Sequence, residues 1–226
     1  EGESGDLASC DAILSAEPRP PPPCPAGPED PAVWQYSSGT TGDPKGVVLT
    51  HANLLAEIDA VGAVLELDER DVVLGVLPLY HALPQIANLL LPFAVGARVV
   101  YLESVHTAEL LRALAERGIT AFACVPQFFY LIHQRVLEEV RRAGVVKRTL
   151  FRALLAANRA ARAVGLNLGK TLFGRAHAAL GRSMRYLVAG GSRFDPRVGR
   201  DLYSMGFEIL QAYGLTETSG AASMMR

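Results

Sequence analysis

Acidic residues are missing from a long part of this 226-residue chain: from Val140 to Phe194 there is no Asp or Glu. The same stretch holds Arg141, Arg142, Lys147, Arg148, Arg152, Arg159, Arg162, Lys170, Arg175, Arg182, Arg185 and Arg193. Over the whole chain the charges nearly cancel, at a formal net charge of -1, which argues against bulk attraction to nucleic acid. No uninterrupted apolar run approaches the ~18 residues of a membrane-spanning helix, and no signal-peptide pattern opens the chain. Cysteine is scarce too. Cys10, Cys24 and Cys124 are odd in number and widely spaced, with no CxxC and no nearby histidine pair, which excludes a disulfide framework and a zinc ribbon. Reduced thiols in a cytoplasmic compartment are the expectation.

What is present suits a folded domain: half of the residues are hydrophobic, enough for a sizeable core. Residues 1–30 stand apart, because Pro18, Pro20–Pro23, Pro25 and Pro28 favour polyproline II and cannot pair inside a sheet. This segment is expected to be a linker or tail, with a ligand for a proline-recognising domain as the other reading. The first residue is Glu1, and Ser219 to Arg226 show no closing element, so residues 31–226 are expected to be an incomplete domain cut from a longer chain.

One stretch concentrates chemistry: Tyr36-Ser37-Ser38-Gly39-Thr40-Thr41-Gly42-Asp43-Pro44-Lys45-Gly46. Glycines let backbone approach a ligand, hydroxyls donate hydrogen bonds without charge, and a lysine adds a mobile cation; together they suit phosphate oxygens. A solvated surface turn is the plainer reading. The P-loop of NTPases does not fit, because Asp43 and Pro44 separate Gly42 from Lys45, and Gly46 stands where a hydroxyl should follow the lysine. Strand-type residues on both sides, Val33–Tyr36 and Val47–Leu49, predict a loop anchored between strands.

Downstream the pattern alternates between strand and helix. A helix is expected over His51–Leu65, capped by Thr50, with Leu54, Leu55, Ile58, Val61 and Leu65 on one face. Strands follow at 72–76, 98–102, 120–125, 184–189 and 208–212. Helices are expected at 85–94, at 108–117 under a Thr107 cap, from Pro126 onward, and from an Asp195 cap and Pro196 to Met205. This rhythm predicts an α/β fold with a largely parallel sheet flanked by helices. Tyr80 and His81 crest a loop fixed by Pro78 and Pro84, where a histidine is either a structural residue or ligand-facing. Gly190 and Gly191 follow a strand's carboxyl end, the place where open α/β sheets leave a crevice for ligands. Arg148, Arg152, Arg159 and Arg162 recur at helical spacing opposite Leu150, Phe151, Leu154 and Leu155. The stretch 141–162 is therefore either an ordinary exposed helix face or a peripheral contact with anionic membrane.

The last strand delivers Tyr213-Gly214-Leu215-Thr216-Glu217-Thr218. With the Ser/Thr/Gly-rich stretch ending in Pro44-Lys45-Gly46, this string resembles, in content and order, the signatures of the adenylate-forming enzymes. The helical segment with Gly144, Lys147, Arg148, Leu150 and Phe151 is similar to their long-chain acyl-CoA synthetase branch. The resemblance implies part of the large N-terminal domain of such an enzyme, with an extra helical insertion and without the C-terminal domain. It implies ATP, Mg²⁺ and coenzyme A, and activation of a long-chain fatty acid to acyl-AMP and then acyl-CoA.

Residue by residue, the resemblance makes Ser37, Ser38, Gly39, Thr40, Thr41, Gly42 and Lys45 contacts of the departing phosphates, and Gly190, Gly191 and Gly214 part of the nucleotide site. Tyr213 becomes an adenine-stacking residue, Thr216 an α-phosphate contact and Glu217 the Mg²⁺ ligand; Lys45, Thr216 and Glu217 are the catalytic set. Tyr80 and His81 line the carboxylate pocket, and the region from Val125-Pro126 helps form the acyl pocket. An acyl-AMP ligase serving a carrier protein, and a non-catalytic nucleotide- or membrane-binding remnant, remain the other readings.

Overall fold

The computed structural model describes residues 15–17, 20, 23–37, 43–102 and 106–225. Strands β1 (Pro31–Ser37) and β2 (Lys45–Thr50) pair antiparallel, so the hydroxyl-rich stretch does lie between two strands. Ser38, Gly39, Thr40, Thr41 and Gly42 lie outside the described residues. Directly after β2, the Thr50 hydroxyl accepts the Asn53 N–H at 3.2 Å and the Asn53 side chain accepts the Thr50 N–H at 3.0 Å. That reciprocal cap satisfies backbone donors left open at a helix start and launches α1 (His51–Gly62) straight from the hairpin.

The main sheet has the order β4-β3-β5-β6-β7-β8, built from β3 (Val72–Gly75), β4 (Arg98–Tyr101), β5 (Ala121–Cys124), β6 (Tyr186–Ala189), β7 (Ile209–Tyr213) and β8 (Ser223–Met225). Every neighbouring pair is parallel except β7 with β8. This last strand corrects the expectation of no closing element after Ser219: Tyr213 pairs with Ser223 across a reversal of the chain.

Period-two alternation loads both faces of the sheet. Leu74, Phe122, Cys124, Leu187 and Ala189 face a core completed by α4 (Thr107–Glu116), α5 (Pro126–Arg142) and, later in the chain, α9 (Pro196–Ser204). Ala123, Val188 and Leu210 face the other side, against Val61 of α1 and Leu91. Helices thus cover both faces, the arrangement that buries parallel strands. The expected helix over 85–94 is instead three pieces, α2 (Ala82–Gln85), a π-helical turn (Ile86–Leu90) and α3 (Leu91–Val95), with Pro92 placed in the first turn of the last.

Two caps differ in outcome. Asp195 caps α9, accepting the Arg197 N–H at 2.7 Å, while Thr107 lies inside α4, whose N-cap is His106. On α1 the expected inward face needs correction: Leu55 is exposed, and Glu57 takes a buried place beside Leu54 and Val61.

The basic segment forms α6 (Val145–Ala163), followed by α7 (Gly169–Leu172) and α8 (Gly174–Ala179). Its arginines do not form one free stripe. Arg162 is buried against Glu208 at 3.3 Å with its guanidinium 3.7 Å from the Tyr203 ring centre, and Arg159 donates to the Ser204 hydroxyl at 3.1 Å. The fully buried Asn158 donates to the Ser204 carbonyl at 2.9 Å and accepts the Leu168 N–H at 2.8 Å. The second half of α6 is therefore docked on α9, and Arg148 and Arg152 remain exposed. Among the described residues no helix is long and apolar enough to cross a membrane.

Candidate functional site

Parallel strands end on the same edge of the sheet, and their loops there bound a cleft of about 740 Å³. Leu77 and Pro78 follow β3, Val125 follows β5, Gly190 and Gly191 follow β6, and Gly214 to Glu217 follow β7; Lys45 reaches the same cleft from the hairpin. Tertiary structure thus brings Lys45, His81, Gly190, Gly191, Gly214, Thr216 and Glu217 together. Tyr80 and Tyr213 are not among the lining residues: their side chains are 72% and 65% exposed. Ser37 closes β1 opposite Lys45 in the hairpin register.

Each wall has a local cause. The histidine loop is tied to the hairpin by Gln35, whose side-chain amide donates to the Tyr80 carbonyl at 3.3 Å and to Gln85 Oε1 at 3.1 Å. His81 then serves as N-cap of α2, and its ring centre lies 4.5 Å from that of Tyr80. The loop rests on the strand ends because Gly190 has no side chain: a Cβ there would come within 3.2 Å of Leu83 Cδ2 and 3.3 Å of the Ala212 carbonyl. Gly191, at φ +79°, turns the chain away from the cleft floor in a conformation that L side chains rarely adopt.

The acidic tip is a tight reversal. After β7 a 3₁₀ turn spans Thr216–Thr218, and the Thr218 hydroxyl accepts the Leu215 N–H at 2.9 Å. Ser219 follows in the left-handed region at φ 62°, uncommon for a residue other than glycine. Gly214 packs so closely on the returning strand that a Cβ on it would sit 1.4 Å from the Gly220 carbonyl oxygen. The turn is fastened from behind by Glu57 of α1, which accepts the Ala221 N–H at 2.5 Å. Burial pushes the Glu57 carboxyl above the ordinary carboxylate range, and that hydrogen bond offsets part of the effect.

Gln35 and Glu57 did not stand out in the sequence as site residues. Glu57 had a readable signal: it falls on the same helical face as Leu54 and Val61, where an acid is out of place. Gln35 had none, because its partners are remote in the chain.

The donor set suits a magnesium nucleotide. An ammonium, a hydroxyl and a carboxylate face one cleft whose wall includes four glycines, and Mg²⁺ characteristically takes one or two carboxylates together with substrate phosphates. A mostly parallel sheet covered by helices on both faces, with a glycine-walled crevice at its carboxyl edge, defines the class as a doubly covered α/β domain. The chain belongs to the AMP-binding enzyme family, which matches residues 3–226.

Among its relatives, peroxisomal long chain acyl-CoA synthetase 6 of Arabidopsis thaliana is 34% identical over 89% of this chain and 29% of its own length. Long-chain-fatty-acid–CoA ligase 2 of Schizosaccharomyces pombe is 28% identical over 97% of this chain and 34% of its own length. The chain therefore spans about a third of the length of the curated relatives it matches. Among solved structures, the N-terminal domain of FACL13 from Mycobacterium tuberculosis shares the fold at a TM-score of 0.66 and 20% identity, over 95% of this chain and 44% of that one. A malonyl-CoA ligase solved with methylmalonyl-CoA and AMP aligns at a TM-score of 0.62 and 26% identity, over 87% of this chain and 35% of that one.

Proposed function

We propose that residues 31–226 form the nucleotide-binding core of an enzyme that activates a long-chain fatty acid with ATP and passes the acyl group to coenzyme A. The observation that carries this reading is the convergence of Lys45 with Thr216 and Glu217 on one cleft, from opposite ends of the domain. The names of the relatives supply the substrate class, long-chain fatty acids, and the malonyl-CoA ligase structure supplies AMP and a CoA thioester as ligands of a related fold.

A carboxylate resists nucleophiles because of its charge and because oxide is a poor leaving group. In the proposed step a carboxylate oxygen of the acid attacks the α-phosphorus of ATP; the new O–P bond forms as the bond to the bridging oxygen breaks, giving acyl-AMP and pyrophosphate. The thiol of coenzyme A then displaces AMP from the acyl carbon. Positioning and charge neutralisation are what a protein contributes to such transfers. Lys45, with hydroxyls of Ser37, Ser38, Thr40 and Thr41, restrains the departing phosphates, while Gly39 and Gly42 allow backbone approach. Thr216 hydrogen-bonds the α-phosphate, and Gly190, Gly191 and Gly214 leave room for the nucleotide. Glu217 would hold Mg²⁺, which when bound neutralises phosphate charge. Tyr213 offers its exposed ring to adenine, and His81, with Tyr80 beside it, faces the carboxylate end of the acid.

The test is pyrophosphate exchange into ATP, catalysed by the protein at its native length across carboxylates of graded chain length, followed by thioester formation with and without coenzyme A. Exchange that peaks with long acids and a CoA-dependent product are expected, and Glu217→Gln should lower exchange by at least about a hundredfold, the usual scale for losing one preorganised electrostatic group. Exchange independent of Glu217, or no response to any fatty acid, refutes the assignment.

A further inference from the structure

Glu57 is an acid placed where a hydrophobic residue would pack at lower desolvation cost: it lies on the inward face of α1 with Leu54 and Val61, and it is 7% exposed. Its oxygen is directed at the chain returning from the acidic tip. Oε1 accepts the Ala221 N–H, and a Cβ added to Gly220 would lie 2.9 Å from that same oxygen. Gly220 in turn is pressed against Gly214, the residue two before Thr216. The loop from Gly214 to Ala221 is therefore pinched at its base, glycine on glycine, and clamped there by one carboxylate.

The clamp joins two walls of the cleft. Gly214, Gly220 and Ala221 line it, while Glu57 sits on the helix that follows without a break from the strand carrying Lys45. We propose that Glu57 is a positioning residue: it holds the Thr216–Glu217 turn at a fixed height over the cleft, in register with the lysine strand, so that hydroxyl and carboxylate meet a nucleotide preassembled. This rests on the nucleotide reading above and adds a residue that touches no ligand. A hydrogen bond to a carboxylate is among the stronger kinds, so its loss has leverage on so short a loop. Because Glu217 is the acidic residue in the lining, misplacing its turn acts mainly on the magnesium-bound form of the nucleotide.

Two variants separate this role from plain packing. Glu57→Met keeps the volume and removes the acceptor; Glu57→Gln keeps an acceptor oxygen and removes the charge. Amide hydrogen exchange of residues 214–221 is measured alongside calorimetric affinity for ATP, once with Mg²⁺ and once with EDTA. For Glu57→Met the expectation is at least roughly tenfold faster exchange in this loop and a roughly tenfold weaker affinity for MgATP, with EDTA-treated ATP changed less than about twofold. Glu57→Gln should restore most of both. Loop protection and MgATP affinity unchanged in Glu57→Met, equal losses with and without Mg²⁺, or a Gln variant as impaired as Met would each overturn the proposal. A wild-type chain that binds no ATP would refute the nucleotide reading, and the positioning role with it; the exchange data would then show separately whether the clamp exists.

Discussion

Replacing Gly214 by alanine tests the tightest contact in the cleft wall. The added Cβ would lie 1.4 Å from the Gly220 carbonyl oxygen, 2.5 Å from its carbon and 2.9 Å from Ala221 Cα, about 1.6 Å short of the 3.0 Å below which real Cβ contacts essentially never fall. All three obstacles are backbone, so the two segments must part. Overpacking of this kind costs about 1–3 kcal/mol, and moving Ala221 off the buried Glu57 carboxylate removes a charge-assisted bond worth about 1.5–3 kcal/mol. With partial relaxation a loss of about 3 kcal/mol follows, or a melting temperature roughly 6–12 °C lower for a chain of this size. Gly174→Ala is the internal control: a Cβ there would meet nothing within 4 Å, the residue opens α8 and its φ is not in the left-handed region, so the change should be neutral or stabilising by about 0.5–1 kcal/mol. Circular-dichroism melts of the three proteins decide the matter. A Gly214→Ala protein melting within about 1 °C of wild type, or a Gly174→Ala protein falling equally far, would refute the packing argument.

Two further outcomes follow from groups outside the cleft. Asp71, 1% exposed, is bound at 2.9 Å through both oxygens by Arg185, which is 44% exposed, and accepts the Thr120 hydroxyl at 2.6 Å. Burial raises its pKa, but Thr120, the Asp68 N–H and Arg185 together outweigh burial and hold the carboxyl below its ordinary value. A depressed folded pKa gives stability that is present above the unfolded value near 3.8 and lost as pH falls through the folded one. Arg185→Met should therefore cost about 2 kcal/mol at neutral pH, between the ~0–1 of an exposed pair and the ~3–5 of a buried one, and should move acid unfolding to higher pH. An unchanged acid limb in urea titrations across pH would contradict this. Cys124 is fully buried, and burial pushes its thiol up to about 12, so at pH 8 the thiolate fraction is on the order of 10⁻⁴. Iodoacetamide followed by peptide mass mapping should modify the exposed Cys24 and spare Cys124 in the folded protein; comparable labelling of both would show that β5 opens readily.

Legibility differed by the range of the interaction. The strand-and-helix rhythm, the Thr50 and Asp195 caps and the strands around the hydroxyl-rich stretch were readable because periodicity and capping act within a few residues. The break of the 82–95 helix at a π turn was not, since the Asn88 carbonyl inside that turn accepts the Tyr101 hydroxyl from β4, a partner no local pattern announces; the failure of Thr107 to cap α4 was not readable either. Arg162 illustrates the same limit: spacing placed it on a solvent stripe, but Glu208 and Tyr203 arrive from a loop and helix elsewhere in the sequence.

By itself the sequence determined the family, because a lysine, hydroxyls, glycines and an acid at fixed local spacing can be read without knowing where they end up. It determined the parallel α/β architecture for the same reason. Only the tertiary structure decided that Lys45 and Glu217 open onto one cleft, that Tyr80 and Tyr213 stand outside its lining, and that a buried acid on α1 holds the chain returning from the Thr216–Thr218 turn. These depend on the common polarity of the strands, which sends every following loop to one edge, and on close backbone contacts that no local pattern encodes.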